Sequence, residues 1–354
     1  MKGKATIKDV AELAGVSATT VSYVLNQNEK QTISEETKAR VYDAVKQLKY
    51  IPNYAARIMK NNESRCVGIV INQSLDHRRY GTIVAGILEA LERENYCAII
   101  CSRRRREGQY SGYLEDCFRH HLEGLIYICS ANITPSEEEV KVITANQIPL
   151  VVFDSQNQEV PYETVDIDYY NGAVNVLRTM ITPEMKRLFY LRPSRRNKRE
   201  EICEQAVQDV MSEHPEITCQ VLCETSKEEY WRNIEHQQGI TGLYSNNYYD
   251  FLIRSNDKFH NLTKQDGILA SWAQWLPIIY DMTQEYGIQA KLGAFAELRE
   301  EGWGKQQVVY GKYHNYQVGK LCVKLLMDVI HGDTDVRRKP VHKLLNMEIR
   351  ILNG

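Results

Sequence analysis

Small hydrogen-bonding side chains near the N-terminus are the first residues whose types and spacing could do chemistry. In the stretch "SATTVSYVLN", apolar residues at helical spacing form one face, and Ser17 can cap the helix. The opposite face would present Ala18, Thr19, Ser22 and Tyr23 to solvent. Hydroxyl and methyl groups of this size can contact base edges in the DNA major groove. The alternative interpretation is an ordinary helical hairpin.

Arginine residues concentrate where predicted strands end. The three clusters are Arg78 and Arg79, Arg103 to Arg106, and Arg192, Arg195, Arg196 and Arg199. Ligands of open α/β sheets bind at the carboxyl ends of the strands, so the clusters are expected to converge on one cleft. Guanidinium groups bind phosphate and carboxylate groups bidentately. The pattern predicts an anionic effector, with solvated loop charges as the alternative.

The residues predicted to bind this effector include two aromatic side chains that could stack on a ring. They are Arg79, Tyr80, Arg103, Arg192, Arg199 and Trp272. The expected chemical classes are a sugar phosphate, a nucleotide-like metabolite and the acidic surface of a protein co-regulator.

The remaining residues that could bind a metal or act in catalysis form no recognisable site, so we expect no cofactor, no bound metal and no enzymatic activity. The pattern of Cys117, His120 and His121 fits one face of an amphipathic helix, and no second ligand pair accompanies it. No G-x-S-x-G elbow, P-loop or G-x-G-x-x-G stands at a strand end. Three candidate carboxylates lack a partnered base: Asp154, Asp166 and Asp168. The nine cysteines include no C-x-x-C pair and are predicted to be buried free thiols.

Composition and charge favour a soluble DNA-binding protein of several domains. The chain has 354 residues, of which 43% are hydrophobic, which is enough for two or three packed domains. No run approaches the roughly 20 apolar residues of a membrane span, and no signal peptide is apparent, so a cytoplasmic location without membrane contact is expected. Residues 1–60 carry a balance of +4, from eight Lys and two Arg against two Asp and four Glu, while the whole chain carries −2. A small basic head on an acidic body is typical of a nucleic-acid contact.

Three short helices are predicted to form the head. Thr6 with Asp9 makes a capping box, Gly15 ends the first helix, and Ser34 caps the third. The predicted inward faces are Val10, Leu13 and Ala14 in the first helix, Val21, Val24 and Leu25 in the second, and Ala39, Val41, Val45 and Leu48 in the third.

From residue 65 onward, apolar runs alternate with helical patterns. The predicted strands are "CVGIVI", "CAIICS", "GLIYICS", "IPLVVFD", "RLFYLR", "CQVLCE", "GLYS", "GILAS", "AKLGAF" and "QVVYG". Alternation of this kind predicts parallel sheets with helices on both faces, and the length favours two α/β lobes joined near Asp166. The helical stripe around "NYQVGKLCVKLLMDVIHG" could be core or subunit contact.

The first sixty residues resemble a known family. The stretches "TIKDVAELAGVSATTVSYVLN" and "ISEETKARVYDAVKQLKYIPNYAARIM" are similar to the N-terminal domain of LacI/GalR-family bacterial transcription regulators. The resemblance implies a homodimer whose recognition helices enter the major groove and whose hinge helices enter the minor groove of a palindromic operator. It further implies a two-lobed core like that of periplasmic binding proteins.

The resemblance divides the chain into three parts. They are a helix-turn-helix headpiece at 1–50, a hinge helix and linker at 51–64, and a sensing and dimerisation core at 65–354. Within the core the first lobe is expected at 66–165 plus 306–330, and the second at 166–305 plus 340–354. The expected fold class is therefore α/β with a small all-α headpiece.

Positions carried over from the family give the predicted DNA contacts. They are Thr6, Ser17, Ala18, Thr19, Thr20, Ser22, Tyr23, Asn26, Tyr54, Ala56, Arg57, Met59 and Lys60. Tyr23 replaces the family's usual arginine, so a different half-site is expected. Met59 stands at the intercalating leucine, where an apolar wedge could kink the duplex. The alternative is that Met59 is only a linker residue.

In the core the chain departs from the family pattern. The residues at the usual asparagine-proline-aromatic site are His77, Arg78 and Arg79, and Ile202 replaces the glycine expected three residues after Arg199. These changes disfavour a standard neutral-sugar site. The competing classes are an enzyme and a free-standing solute-binding protein, of which the second would need export. A homodimeric DNA-binding regulator that represses transcription accounts best for the whole pattern.

Overall fold

Two compact units make up the chain, residues Met1–Ser64 and Arg65–Gly354. We describe them from a computed structural model of the protein. The structure describes residues 5–25, 32–50, 64–71, 75, 77–101, 111–129, 133–193, 197–224, 259, 261–285, 287–298, 307–332 and 339–352. The predicted strand "GLYS" at 242–245 lies outside these residues.

The N-terminal unit contains three helices, α1 (Ile7–Ala14), α2 (Ala18–Leu25) and α3 (Glu35–Leu48). Thr6 and Asp9 form the predicted capping box. Gly15 ends α1 in the left-handed region at φ 64°, which costs glycine little because it lacks a Cβ. Ser34 accepts a hydrogen bond from the Thr37 amide and caps α3. The helix boundaries predicted from capping residues are thus confirmed.

The three helices share one small apolar core. Its buried residues are Val10, Ala11, Ala14, Val21, Val24, Val41 and Ala44. The predicted inward positions Leu13 and Ala39 were wrong, because Leu13 is 50% exposed and Ala39 is also exposed. Ala11 and Ala44 take their place, since a core this small admits short side chains where helices approach closely.

The larger unit contains two six-stranded sheets. The strands in chain order are β1 (Cys66–Ile71), β2 (Cys97–Cys101), β3 (Gly124–Ile128), β4 (Leu150–Phe153), β5 (Glu163–Ile167), β6 (Arg187–Pro193), β7 (Thr218–Glu224), β8 (Asp266–Ala270), β9 (Lys291–Ala294), β10 (Val308–Lys312), β11 (His342–Leu345) and β12 (Glu348–Leu352). The first sheet has the order β11-β5-β4-β3-β1-β2 and is parallel throughout. The second has the order β12-β10-β9-β8-β6-β7, with β12 antiparallel to β10. The α/β class with parallel-dominated sheets is confirmed.

Seven helices connect the described strands. They are α4 (Arg78–Arg93), α5 (Gly112–His120), α6 (Glu137–Ala145), α7 (Tyr169–Met180), α8 (Lys198–Glu213), α9 (Leu276–Glu285) and α10 (Asn315–Ile330). One buried apolar cluster contains residues of both sheets, such as Ile126 of β3 and Leu269 of β8. The two lobes of the core therefore share part of their apolar interior.

Strand pairing corrects the expected lobe limits at the C-terminal end. Residues 306–330 were assigned to the first lobe, but β10 at Val308–Lys312 belongs to the second sheet. Residues 340–354 were assigned to the second lobe, but β11 pairs with β5 of the first. Along its described strands, the chain crosses between the lobes three times: after β5, after β10, and between β11 and β12. The last two crossings were not predicted correctly, because β11 and β12 are short strands whose exposed residues interrupt the apolar pattern.

The stripe on α10 is core. Val318, Cys322 and Leu326 are fully buried, and α10 packs against α4. A Cβ added at Gly319 would lie 2.2 Å from the Ile83 carbonyl oxygen, so glycine permits the helix crossing.

The cysteines are free thiols, as predicted, but only six of nine are buried. Cys97 is exposed, and Cys219 and Cys223 are partly exposed. Cys117 packs in the first lobe, where burial raises the pKa of its thiol to about 11. Among the described helices, none has the length and apolar character needed to cross a bilayer.

Candidate functional site

Helix α2 presents the predicted small polar face. Thr19 is exposed, while Ala18, Ser22 and Tyr23 are partly exposed. Thr19, Ser22 and Tyr23 stand at i, i+3 and i+4, so they share one face of the helix. The structure thus places Thr19 and Tyr23, which were predicted to contact base edges, on the same face as Ser22, which was predicted as a phosphate or supporting contact.

Hydrogen bonds at the start of α2 fix its direction. The Ser17 hydroxyl accepts from the Thr20 amide at 3.0 Å and lies 2.9 Å from the Thr20 hydroxyl. Thr6 caps α1 in the same way, because its hydroxyl accepts from the Asp9 amide, and it also donates to Asp9 Oδ2 at 2.8 Å. These three predicted contacts therefore also have structural roles at helix starts.

Charge on the described headpiece lies outside α2. The sequence of α2, ATTVSYVL, contains no ionisable group except the phenol of Tyr23. Basic residues instead occur on α1 and α3, as Lys8, Lys38, Arg40 and Lys46. Such a division suits phosphate contacts from the flanks and uncharged contacts to base edges.

Several predicted site residues lie outside the described residues. They are Asn26, Tyr54, Ala56, Arg57, Met59 and Lys60 of the predicted DNA contacts, and Arg103 of the predicted effector contacts.

In the core, Arg79 occupies the junction between the two lobes. Its Nη2 donates to Asp154 Oδ2 at 2.9 Å and to the Tyr169 hydroxyl at 2.8 Å. Its guanidinium also lies 5.2 Å from the ring centre of Tyr313. Burial alone would lower the pKa of Arg79, but Tyr169, Asp154 and the neighbouring phenols raise it, so the side chain stays charged.

Arg199 approaches the same junction from the second lobe. Its guanidinium carbon lies 5.3 Å from the ring centre of Tyr169. Its Nη1 is 2.5 Å from Glu200 Oε1, and its Nη2 donates to the Ser271 carbonyl at 3.0 Å. Glu200 also accepts from the Ser271 hydroxyl and, at 2.9 Å, from Trp272 Nε1.

Three more predicted effector residues are described: Trp272, which donates to Glu200, and Tyr80 and Arg192, whose surroundings differ. Tyr80 adjoins Arg79, and burial raises the pKa of its phenol. Arg192 lies 3.5 Å from Glu204 and is 8% exposed. The structure therefore gathers Arg79, Tyr80 and Arg199, while Arg192 lies beside the Glu204 carboxylate without a hydrogen bond from its Nε.

Sequence reasoning missed the partners of these arginines. The missed residues are Tyr169, Glu200, Ser271 and Tyr313, and Asp154 was weighed only as a catalytic carboxylate. Burial raises the pKa of both Tyr169 and Tyr313. Their position in the sequence could have identified them, because each follows a strand or begins a helix at the carboxyl ends of the strands.

The three candidate catalytic carboxylates have structural partners. Asp154 pairs with Arg79, Asp166 accepts from the Gln156 amide at 2.9 Å, and Asp168 caps α7. Burial raises the pKa of Asp166. In the part of the chain that the structure describes, no three His, Cys, Asp or Glu side chains could hold a metal ion.

Comparison with known proteins identifies a matching family model and curated relatives over part of the chain. Residues 6–53 match the family model "Bacterial regulatory proteins, lacI family". The chain is 32% identical over 150 residues to the HTH-type transcriptional repressor PurR of Actinobacillus pleuropneumoniae serotype 5b (strain L20) and 34% identical to that of Vibrio cholerae serotype O1 (strain M66-2). Each match covers 42% of this chain and 43% of the relative, so the chain spans less than half the length of the curated relatives it matches.

Solved structures share the fold over the full chain. The lac repressor dimer bound to operator and the anti-inducer ONPF superposes with a TM-score of 0.74 at 17% identity, covering 99% of both chains. The Cra transcriptional dual regulator of Pseudomonas putida, in complex with fructose 1-phosphate, gives 0.63 at 11% identity over 82% of this chain and all of that one. Residues 6–53 thus match the lacI family of bacterial regulatory proteins, and the two-lobed core shares the fold of the lac repressor.

Proposed function

We propose that this chain is a sequence-specific DNA-binding transcriptional regulator, a homodimeric repressor of a palindromic operator. The observation that carries the proposal is the α2 face of Thr19, Ser22 and Tyr23, held on a capped helix that follows a tight turn. A helix of this kind fits the major groove and can read base edges there. Such a protein would act in the cytoplasm, where bacterial DNA lies.

A second copy of the chain fits the β2 edge of the first sheet. Strand β2 has the sequence CAIIC, without a charged residue, and its Ile100 is 53% exposed. Leu75 and Leu88, in the same β1–α4–β2 segment, are 43% and 47% exposed. An uncharged edge strand is open to pairing with another chain, exposed leucines favour burial against a partner, and the proposed palindromic operator needs two headpieces.

The operator contact has two parts in this proposal. The recognition helix reads the major groove, and the hinge segment at 51–64 reads the minor groove with Met59 as the wedge. This second part depends on the family resemblance alone. Phosphate contacts from the basic residues of α1 and α3 would make operator affinity fall steeply with salt.

Selection of bound sequences from random duplexes tests the proposal. The full-length wild type should enrich a palindrome, and the double variant Thr19→Ala/Tyr23→Ala should lose it. Gln47→Ala, on the exposed face of α3, serves as the matched control and should keep the motif. Met59→Gly should weaken enrichment if the hinge contributes. No enriched motif for the wild type would overturn the proposal.

The anionic effector stays a prediction from the sequence and is not needed for the proposed DNA binding. The Cra structure contains fructose 1-phosphate. In this chain the described arginines of the predicted site already have carboxylate partners, Asp154, Glu200 and Glu204. An anionic effector would have to displace at least one of these carboxylates before a guanidinium could bind it bidentately.

A further inference from the structure

The junction between the lobes contains its own anions. We call Arg79, Asp154, Tyr169, Arg199 and Glu200 the interlobe cluster. Both arginines are at least four-fifths buried, and each is within 3 Å of a buried carboxylate oxygen. A buried guanidinium is stable only when its charge is paired, and these carboxylates supply the negative charge that a bound anion would otherwise supply. They contact the Nη atoms, while Nε of each arginine is buried without a hydrogen-bond partner among the described residues.

Tyr169 joins the two halves of the cluster. It begins α7, which packs on the second sheet, yet its hydroxyl donates to Asp154 Oδ2 at 2.9 Å and accepts from Arg79, both in the first lobe. Arg199 lies over its ring. Lys198 also crosses the junction and donates to the Gln156 carbonyl at 3.0 Å. The cluster therefore links the lobes through hydrogen bonds between side chains of the chain itself.

Glu200 is held as an anionic ligand would be held. Its carboxylate accepts from Arg199, from the Ser271 hydroxyl and from Trp272 Nε1, and its side chain is 1% exposed. A free anion must lose translational freedom to enter such a site, whereas a carboxylate already fixed at the start of α8 does not. The internal group is therefore strongly favoured over a dissolved one.

We propose that Asp154 and Glu200 act as built-in occupants of the interlobe site, so that the core keeps one lobe arrangement without a small-molecule effector. The inference rests on the proposed function, because only a regulator has an operator affinity for the lobes to control. On this inference the chain is a constitutive regulator. Its two central guanidinium groups, of Arg79 and Arg199, do not bind anions from solution.

Replacing the internal carboxylate should create a phosphate site. In the full-length Glu200→Ala variant, Arg199 loses its carboxylate and the side-chain volume is freed for an ion. With chloride as the only anion, the variant should melt below the wild type. Inorganic phosphate, at equal ionic strength, should then raise its melting temperature by at least about 2 °C more than that of the wild type, because binding to the native state stabilises it.

Glu201→Ala is the matched control, since Glu201 is exposed in the same turn of α8. It shows how much phosphate stabilises the protein without entering the cluster. Asp154→Gly repeats the test at Arg79 if Glu200→Ala does not fold. Asp154 has φ +63°, which glycine adopts without strain.

Two results would overturn the proposal. One is a wild type that phosphate or glucose 6-phosphate stabilises as much as the Glu200→Ala variant, which would mean that the native site accepts outside anions. The other is a folded variant that responds to phosphate no more than Glu201→Ala does.

A second experiment measures operator affinity and distinguishes failure of this inference from failure of the proposed function. With a selected operator, wild-type affinity should not change with glucose 6-phosphate, while that of Glu200→Ala should differ from wild type by at least threefold and respond to phosphate. A wild type that binds no operator would count against the proposed function alone. The melting experiment uses no DNA and would still decide whether the cluster is closed.

Discussion

In the proposed operator complex, Tyr23 is the residue of α2 that we expect to set the preferred base. A phenol offers one hydroxyl and a ring that can contact a thymine methyl, whereas arginine forms two hydrogen bonds with guanine. Tyr23→Arg should therefore shift one position of each half-site toward guanine, by about tenfold in relative affinity, since a bidentate contact contributes about 1–3 kcal/mol of discrimination. Competition binding with operators that differ at single positions measures this shift.

Gln47→Arg is the control for the added charge, because Gln47 is exposed on α3. It should raise affinity for all duplexes without changing the preferred base. A uniform increase for Tyr23→Arg as well would mean that residue 23 does not contact a base edge.

Asp266 stabilises the second lobe through a charged pair at the start of β8. Its two oxygens lie 2.7 Å and 2.9 Å from Arg187, and it accepts from the Thr263 amide and hydroxyl. Burial alone would raise the pKa of Asp266, but the Arg187 and Thr263 donors outweigh it and lower the pKa. Asp266→Asn should reduce the free energy of unfolding by about 1–3 kcal/mol at neutral pH, discounted for the half-exposed Arg187.

The sign of the pH dependence follows from the lowered pKa. The contribution of Asp266 is fully present above the ordinary carboxyl pKa and is lost as pH falls through the lower value of the folded protein. The difference between wild type and Asp266→Asn should therefore shrink in urea unfolding below about pH 4. Asp281→Asn, exposed on α9, should show no difference at either pH. A difference that grows in acid would contradict the assignment.

At the scale of elements, the crossing of α4 and α10 depends on two glycines. A Cβ at Gly86 would lie 2.1 Å from the Tyr316 carbonyl oxygen, and one at Gly319 would lie 2.2 Å from the Ile83 carbonyl oxygen. Alanine is favoured over glycine in a helix by about 1 kcal/mol. The clash is with backbone atoms, which cannot rotate away, so it should outweigh that preference.

Gly319→Ala should accordingly destabilise the core by about 1–3 kcal/mol net, as overpacking does. Gln317→Ala, exposed on the same helix, should be neutral or slightly stabilising. Urea unfolding followed by the circular dichroism of the core transition compares the two. A stabilised Gly319→Ala variant would show that the helices can separate without loss.

Capping residues and apolar runs predicted most elements because their signals are local. Thr6, Gly15 and Ser34 marked helix ends correctly, and nine predicted strand runs match described strands. The short strands β11 and β12 were missed because exposed residues interrupt their apolar pattern. The sequence located Arg79 and Arg199, but their pairing with Asp154 and Glu200 depends on how distant strand ends meet.

At the scale of the whole molecule, the proposed homodimer would cover one edge of the first sheet. Ile100 on β2 and Leu344 on β11 are 53% and 51% exposed, at opposite edges of the first sheet. Strand β11 carries Lys343 beside its leucine, and an edge lysine discourages pairing with another chain, whereas β2 carries no charge. The covered edge in the proposed homodimer should therefore be β2.

Ile100→Asp should place a charge in that interface and increase the dimer dissociation constant by at least tenfold, because an unpaired charge is costly to bury. Leu344→Asp changes an equally exposed residue in the same way and should leave the dimer intact. Sedimentation velocity across a concentration series measures both. Two linked headpieces bind a palindromic operator more tightly than two separate ones, because binding of the first raises the effective concentration of the second. The Ile100→Asp variant should therefore also lose operator affinity, while Leu344→Asp should keep it. Equal effects from the two variants would mean that both edges, or neither, contact the partner copy.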